Sequence, residues 1–135
     1  MNLQIYTDGG ARGNPGPAGI GVAIIDLASG KIIEEHSKYI GETTNNQAEY
    51  QAAILGLARA VDLGAASVEL VADSELLIKQ CRGEYKVKNA ELAKRFLEVK
   101  NLETQLNGRV SYRHVKRELN KRADALANKA MDARQ

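Results

Sequence analysis

A chain of 135 residues, 44% hydrophobic and 27% charged, has the material for one sizeable core, so a single domain over residues 1–135 is expected. No apolar run approaches the length of a membrane span, and the first residues lack the basic-then-apolar order of a secretory signal, so the expectation is a cytoplasmic protein without membrane contact. The net charge of +2 hides an asymmetry: residues 1–75 hold 4 Lys/Arg against 10 Asp/Glu (−6), and residues 76–135 hold 15 against 7 (+8), so one half suits cations and the other a polyanion.

The first element reads as a strand over 3–8, where Leu3 and Ile5 alternate with Gln4 and Tyr6 and Asp8 falls at the exit. Five glycines and two prolines crowd the residues that follow, from Gly9 to Gly19. Glycine lets other groups approach the main chain and proline stiffens a turn, so this stretch reads as a shaped loop. Strands over 19–27 and 31–40, joined at Ala28-Ser29-Gly30, make an antiparallel meander. His36, in a polar stretch of the third strand, is expected to be solvated.

Thr43-Thr44-Asn45-Asn46 offers side chains that satisfy the free N–H groups of a helix start, and a helix over 45–63 follows, closed by Gly64. Glu49 shares its face with Asn45, Ala52, Ala53 and Gly56, small residues that let a helix lie close to a sheet. An apolar strand over 67–73 ends in Asp73, which also reads as the start of the next helix. Helices over 74–81 and 89–106 flank a basic segment, and the lone Cys81 beside Leu76, Leu77 and Ile78 reads as a small buried hydrophobe. After Asn107-Gly108 come a strand over 109–115 and a helix over 120–133, with Asp124 in its first turns. Three consecutive strands followed by strands alternating with helices predict an α/β fold, a mixed sheet covered by helices.

Each acid alone has a plain structural reading: a solvated loop residue, a first-turn glutamate favoured by the helix dipole, a helix cap, an exposed helical acid. Together they fall at two strand ends and two helix starts, which can converge on one edge of a mixed sheet. Carboxylates clustered without cations repel strongly in a low-dielectric site, so such a group calls for metal. Oxygen-only ligands favour the hard cations Mg2+ and Mn2+, and no His/Cys cluster points to zinc.

Four motifs occur in order: Thr7-Asp8-Gly9-Gly10 with Gly13-Asn14-Pro15-Gly16-Pro17; Thr43-Thr44-Asn45-Asn46-Gln47-Ala48-Glu49; Ala72-Asp73-Ser74; and Asn120-Lys121-Arg122-Ala123-Asp124-Ala125-Leu126-Ala127. In these, and over essentially its whole length, the chain resembles the ribonuclease H family, type 1, in a compact form without the basic protrusion. The resemblance implies a ribonuclease H-like fold with a mixed five-stranded sheet, three antiparallel strands and then parallel ones. It implies that Asp8, Glu49, Asp73 and Asp124 bind two divalent ions, Mg2+ with Mn2+ as substitute, and that Gly9, Asn14 and Asn45 touch the nucleic acid. The implied activity is hydrolysis of the RNA strand of RNA/DNA hybrids, leaving 5′-phosphate and 3′-hydroxyl ends, and a monomer is the default expectation. The basic half would hold phosphates without reading sequence. Two alternatives stay open: a nuclease that also cuts double-stranded RNA, and a non-catalytic binding module of the same fold.

The chain departs from larger family members in three places. The Cys81–Asn89 stretch is short and lacks a tryptophan-containing basic insertion, leaving Lys79, Arg82, Lys86 and Lys88 in its place. Glu75 stands where many members have glutamine. The family's mobile catalytic histidine has two candidate counterparts. An ungapped count back from Asp124 gives His114; the strand pattern instead puts His114 in the sheet and leaves Arg117 as the nearest cation able to reach a phosphate, and this second alignment is preferred.

Overall fold

The structure, a computed structural model, describes residues 1–134. Strands β1 (Asn2–Ala11), β2 (Gly16–Asp26), β3 (Lys31–Thr43), β4 (Ser67–Ala72) and β5 (Val110–His114) form one sheet in the order β3-β2-β1-β4-β5. β2 pairs antiparallel with both β1 and β3, while β4 lies parallel to β1 and β5 parallel to β4. The expected mixed five-stranded sheet is therefore present. Its helices are α1 (Asn45–Asp62), α2 (Glu75–Cys81), α3 (Ala90–Gln105) and α4 (Lys121–Ala133).

The residues explain the layering. Side chains alternate across a strand, and on β2 Val22 lies near Gly56 of α1, whereas a Cβ on Gly21 would strike the backbone of Ala123 and Ala127 in α4. The sheet is thus sandwiched, with α1 on one face and α4 on the other. On the α1 side the core gathers Leu3, Ile5, Tyr50, Leu57, Leu70 and Ile78. Cys81 is 2% exposed in the same cluster, where burial pushes its thiol up to about 12, as befits a buried hydrophobe.

The glycine-rich stretch differs from the expected loop. β1 runs on to Ala11 and β2 starts at Gly16, with Gly9 paired to Ile20 and Gly10 to Gly19. The glycines serve mainly close packing: a Cβ on Gly9 would overlap the backbone of Ala48 in α1, and one on Gly19 would come within 2.7 Å of the Ala127 carbonyl in α4. His36 also departs from expectation, since its Nε2 lies 2.8 Å from Glu34 Oε1 and its side chain is only 31% exposed.

Helix starts place the acids. Thr44 Oγ1 accepts from the Gln47 N–H and caps α1. At α2 the cap is Ser74, whose Oγ accepts from the Leu77 N–H, so the plain structural reading of Asp73 as a helix cap does not hold. A serine hydroxyl meets that need, so the Asp73 carboxylate is free for other contacts. Among the described residues no side chain caps α4 although Asn120 occupies the cap position, which forgoes about 1 kcal/mol of helix stabilisation.

Candidate active site

β1 and β4 are parallel neighbours, so the ends from which they leave the sheet lie on one edge. Asp8 sits toward that end of β1, 6% exposed, and Asp73 directly follows β4. By alternation from Thr7, which faces Gly56, Asp8 points to the α4 side. Glu49 arrives from α1 on the opposite side. The missing side chain at Gly9 lets α1 lie directly on β1, and the Gly9 N–H then donates to Glu49 Oε1 at 2.7 Å.

Carboxylate oxygens of Asp8, Glu49 and Asp73 come within 4.8 Å of one another. Asp124, from the first turn of α4, lines the same cleft and acts on the Asp8 carboxyl, so the fourth acid stands beside the other three. Burial first, then the Asp73 and Asp124 carboxylates, push Asp8 up from 3.8 to about 8. Glu49 is likewise raised, by burial and then by Asp8 and Asp73, against the Gly9 N–H and the Arg117 guanidinium. All four acids open onto one cleft of about 580 Å³, whose wall includes Asn45, Arg117 and Arg12.

These residues fit a divalent cation. The donors are all oxygens, three of them share one small volume, and burial together with the neighbouring carboxylates raises Asp8 and Glu49 above the ordinary carboxylate range, a strain that a bound cation would relieve. Asp8, Glu49 and Asp73 would hold it, with Asp124 alongside.

The other expected site residues fall as follows. Asn45 lines the cleft; its N–H donates to Asn14 Oδ1 at 3.1 Å and its Oδ1 accepts from the Ala11 N–H at 2.7 Å. Asn14 lines an adjoining hollow of about 690 Å³ with Thr44, Asn89 and Arg95. Arg117 begins a 3-10 turn over Arg117–Leu119 and reaches the cleft. His114 ends β5 in register with Ala72 and lies outside the lining residues, where it acts on Glu75. Glu75 is paired with Lys79 at 3.0 Å, which holds its carboxyl below the usual range.

Sequence reasoning missed two residues here. Arg12 is paired with Asp132 of α4 at 2.7 Å, closing one wall. Asn120 is 1% exposed and bonded to Asp73; its position inside the fourth motif was the only available signal.

Residues 6–130 match the family described as reverse transcriptase-like. The bifunctional protein Rv2228c of Mycobacterium tuberculosis is 43% identical over 98% of this chain, which covers 36% of that protein. Its N-terminal RNase H domain, solved as a fusion with maltose-binding protein, superposes with a TM-score of 0.93 at 42% identity over 98% of this chain and 100% of that one. Ribonuclease HI of Halobacterium salinarum is 42% identical over 96% of this chain and 64% of its own length. LC11-RNase H1, solved in complex with an RNA/DNA hybrid, has a TM-score of 0.92 and 46% identity over 98% of each chain. The chain thus spans about a third of the mycobacterial protein and just under two thirds of the halobacterial one. Since the likeness runs through every element that carries an acid of the cleft, the chain belongs to the ribonuclease H family.

Proposed function

We propose that the chain is a metal-dependent endonuclease that hydrolyses the RNA strand of RNA/DNA hybrids. The observation that carries this reading is the carboxylate cluster of Asp8, Glu49 and Asp73, with oxygens within 4.8 Å of one another in an open cleft. Its supports from outside are the named ribonucleases among the relatives and the hybrid bound by LC11-RNase H1.

The side chains divide the work. Asp8, Glu49, Asp73 and Asp124 hold the cations and need not transfer protons themselves. When bound, Mg2+ or Mn2+ ions supply activation of a water and neutralisation of the leaving 3′ oxygen. The Gly9 N–H keeps Glu49 turned inward. Asn45, on the cleft wall and braced by Asn14 and Ala11, presents the sugar-phosphate backbone with a fixed amide. Arg117 offers a guanidinium over the same cleft for the phosphate charge that grows during hydrolysis. Farther out, Lys86 and Lys88 would add backbone contacts that carry no sequence information. Preference for RNA follows from 2′-hydroxyl contacts and hybrid shape.

The test is a gel assay of labelled RNA/DNA hybrid beside single-stranded RNA, duplex DNA and duplex RNA, with Mg2+ or Mn2+, on the native protein and on Asp8→Asn and Asp73→Asn. Internal cuts in the hybrid's RNA strand that need a cation and vanish in both variants are expected. Cutting of duplex RNA as well would widen the substrate class. Hybrid binding without cutting would leave a binding module. Replacing both Lys86 and Lys88 by Gln should lower the slope of log affinity against log salt by about 1 to 2, because each lost phosphate contact removes close to one released counterion.

A further inference from the structure

Asn120 stands at the cap position of α4 but does not cap it. Its side chain turns into the protein, 1% exposed, and Nδ2 donates to two acceptors: the Thr7 carbonyl at 2.9 Å and Asp73 Oδ2 at 3.1 Å. Thr7 precedes Asp8 on β1, and Asp73 directly follows β4. One amide therefore links the exits of two neighbouring strands to the start of the helix that carries Asp124. The arrangement has a cost in unmet polar groups, since Asn120 Oδ1 and Thr7 Oγ1 have no hydrogen-bond partner among the described residues. A residue selected for helix stability would use its oxygen on the free N–H groups of α4.

We infer that Asn120 is a positioning residue for the cation site: its amide fixes the rotation of the Asp73 carboxylate toward Asp8 and Glu49 and locks the two strand exits in register. The inference rests on the hydrolytic reading above. The side chain's chemistry suits this task. A lysine or arginine would neutralise the acids and compete with an incoming cation. An aspartate would set another negative charge against the Thr7 carbonyl and Asp73. A serine is too short to serve both acceptors. Only a neutral, two-proton donor orients Asp73 while leaving the cluster's negative charge for the cation.

The experiment has two arms. In 15N-labelled native protein titrated with Mg2+, the Asn120 side-chain amide signals should move at the same Mg2+ concentrations as the backbone amides of Gly9 and Ser74. In Asn120→Ala, the Mg2+ concentration giving half of the cation-dependent rise in melting temperature should increase about tenfold or more. Its kcat on hybrid should fall by a similar factor, with KM changed less than about twofold. A variant that melts lower but keeps its Mg2+ half-saturation would overturn the assignment and leave Asn120 a purely structural residue. Should the variant fail to fold, the native spectrum decides: Gly9 and Ser74 moving without Asn120 overturns the assignment. If none of the three moves, the cation-dependent function itself fails, and the assignment with it.

Discussion

The protein holds two groups of acids and treats them in opposite ways. On β3, Glu34 meets the Arg59 guanidinium through two bonds of 2.8 Å and the His36 ring through a third. Arg59 first, and then His36, hold its carboxyl down to about 2. At the sheet edge, Asp8 and Glu49 stand with Asp73 and Asp124 instead, and burial with like charges pushes both upward. Arg117 acts on both acids, but it is the weakest of the named influences. The first group is finished by folding alone. The second stays in debt until a cation arrives, and that mismatch is what marks it as a working site.

The largest break in this comparison is Asp8→Asn. In single-turnover assays hybrid cleavage should fall by about 10³-fold or more, since one cation-holding group is gone. The same change should raise the melting temperature of the cation-free protein at pH 8, because it removes a buried charge the fold does not compensate. A variant both inactive and less stable would mean that Asp8 is a structural acid like Glu34.

Next is the pH dependence of that cation-free protein. Asp8 titrates at 3.8 when unperturbed and at about 8 in the fold, so between these values the folded state holds a proton that the unfolded chain has lost. Its contribution is complete below 3.8 and declines as pH rises toward about 8, with Glu49 acting in the same direction. Melting curves from pH 5 to 9 should show stability decreasing, while saturating Mg2+ or Asp8→Asn should flatten the slope. A slope of the opposite sign would mean the acids are already compensated.

A smaller effect separates the two cations near the cleft. Arg117→Ala should lower kcat about tenfold, the weight of one charge-assisted contact to a phosphate. His114→Ala should stay within about twofold. If His114→Ala proves the more damaging, the role given to Arg117 is wrong. The smallest effect belongs to the finished group. Glu34→Gln should cost about 0.5 to 1 kcal/mol near pH 7 with cleavage unchanged. Because the folded value of Glu34 lies below its ordinary 4.5, that deficit should shrink as pH falls from 4.5 toward 2, as melts at pH 7 and pH 3 would show.

Much of this was legible in the chain because it is written locally. Alternation of Leu3 and Ile5 announces β1, the Thr44 cap announces α1, and the small face beside Glu49 announces close approach to a sheet. The glycines of residues 9–19 read as loop chemistry, whereas Gly9 and Gly19 admit the backbones of α1 and α4, partners distant in sequence. Asp73 and Ser74 are both good caps, and the local sequence gives no ground for choosing between adjacent residues. Asn120 was hidden for the same reason: its bond to Thr7 spans 113 positions, and an asparagine before a helix looks like a cap.

The placement of α4 also bears on when the site can exist. Asp8, Glu49 and Asp73 lie in the first 73 residues, whereas Asn120, Asp124 and the Asp132 that pairs with Arg12 come with the last described helix. A nascent chain extended only to residue 116 therefore carries three acids without the amide that ties two strand ends together or the fourth carboxylate. Synthesis in N-to-C order thus delivers the amide and the fourth carboxylate after the other three acids, so a ribosome that has not yet passed residue 124 holds only an unfinished form of the site.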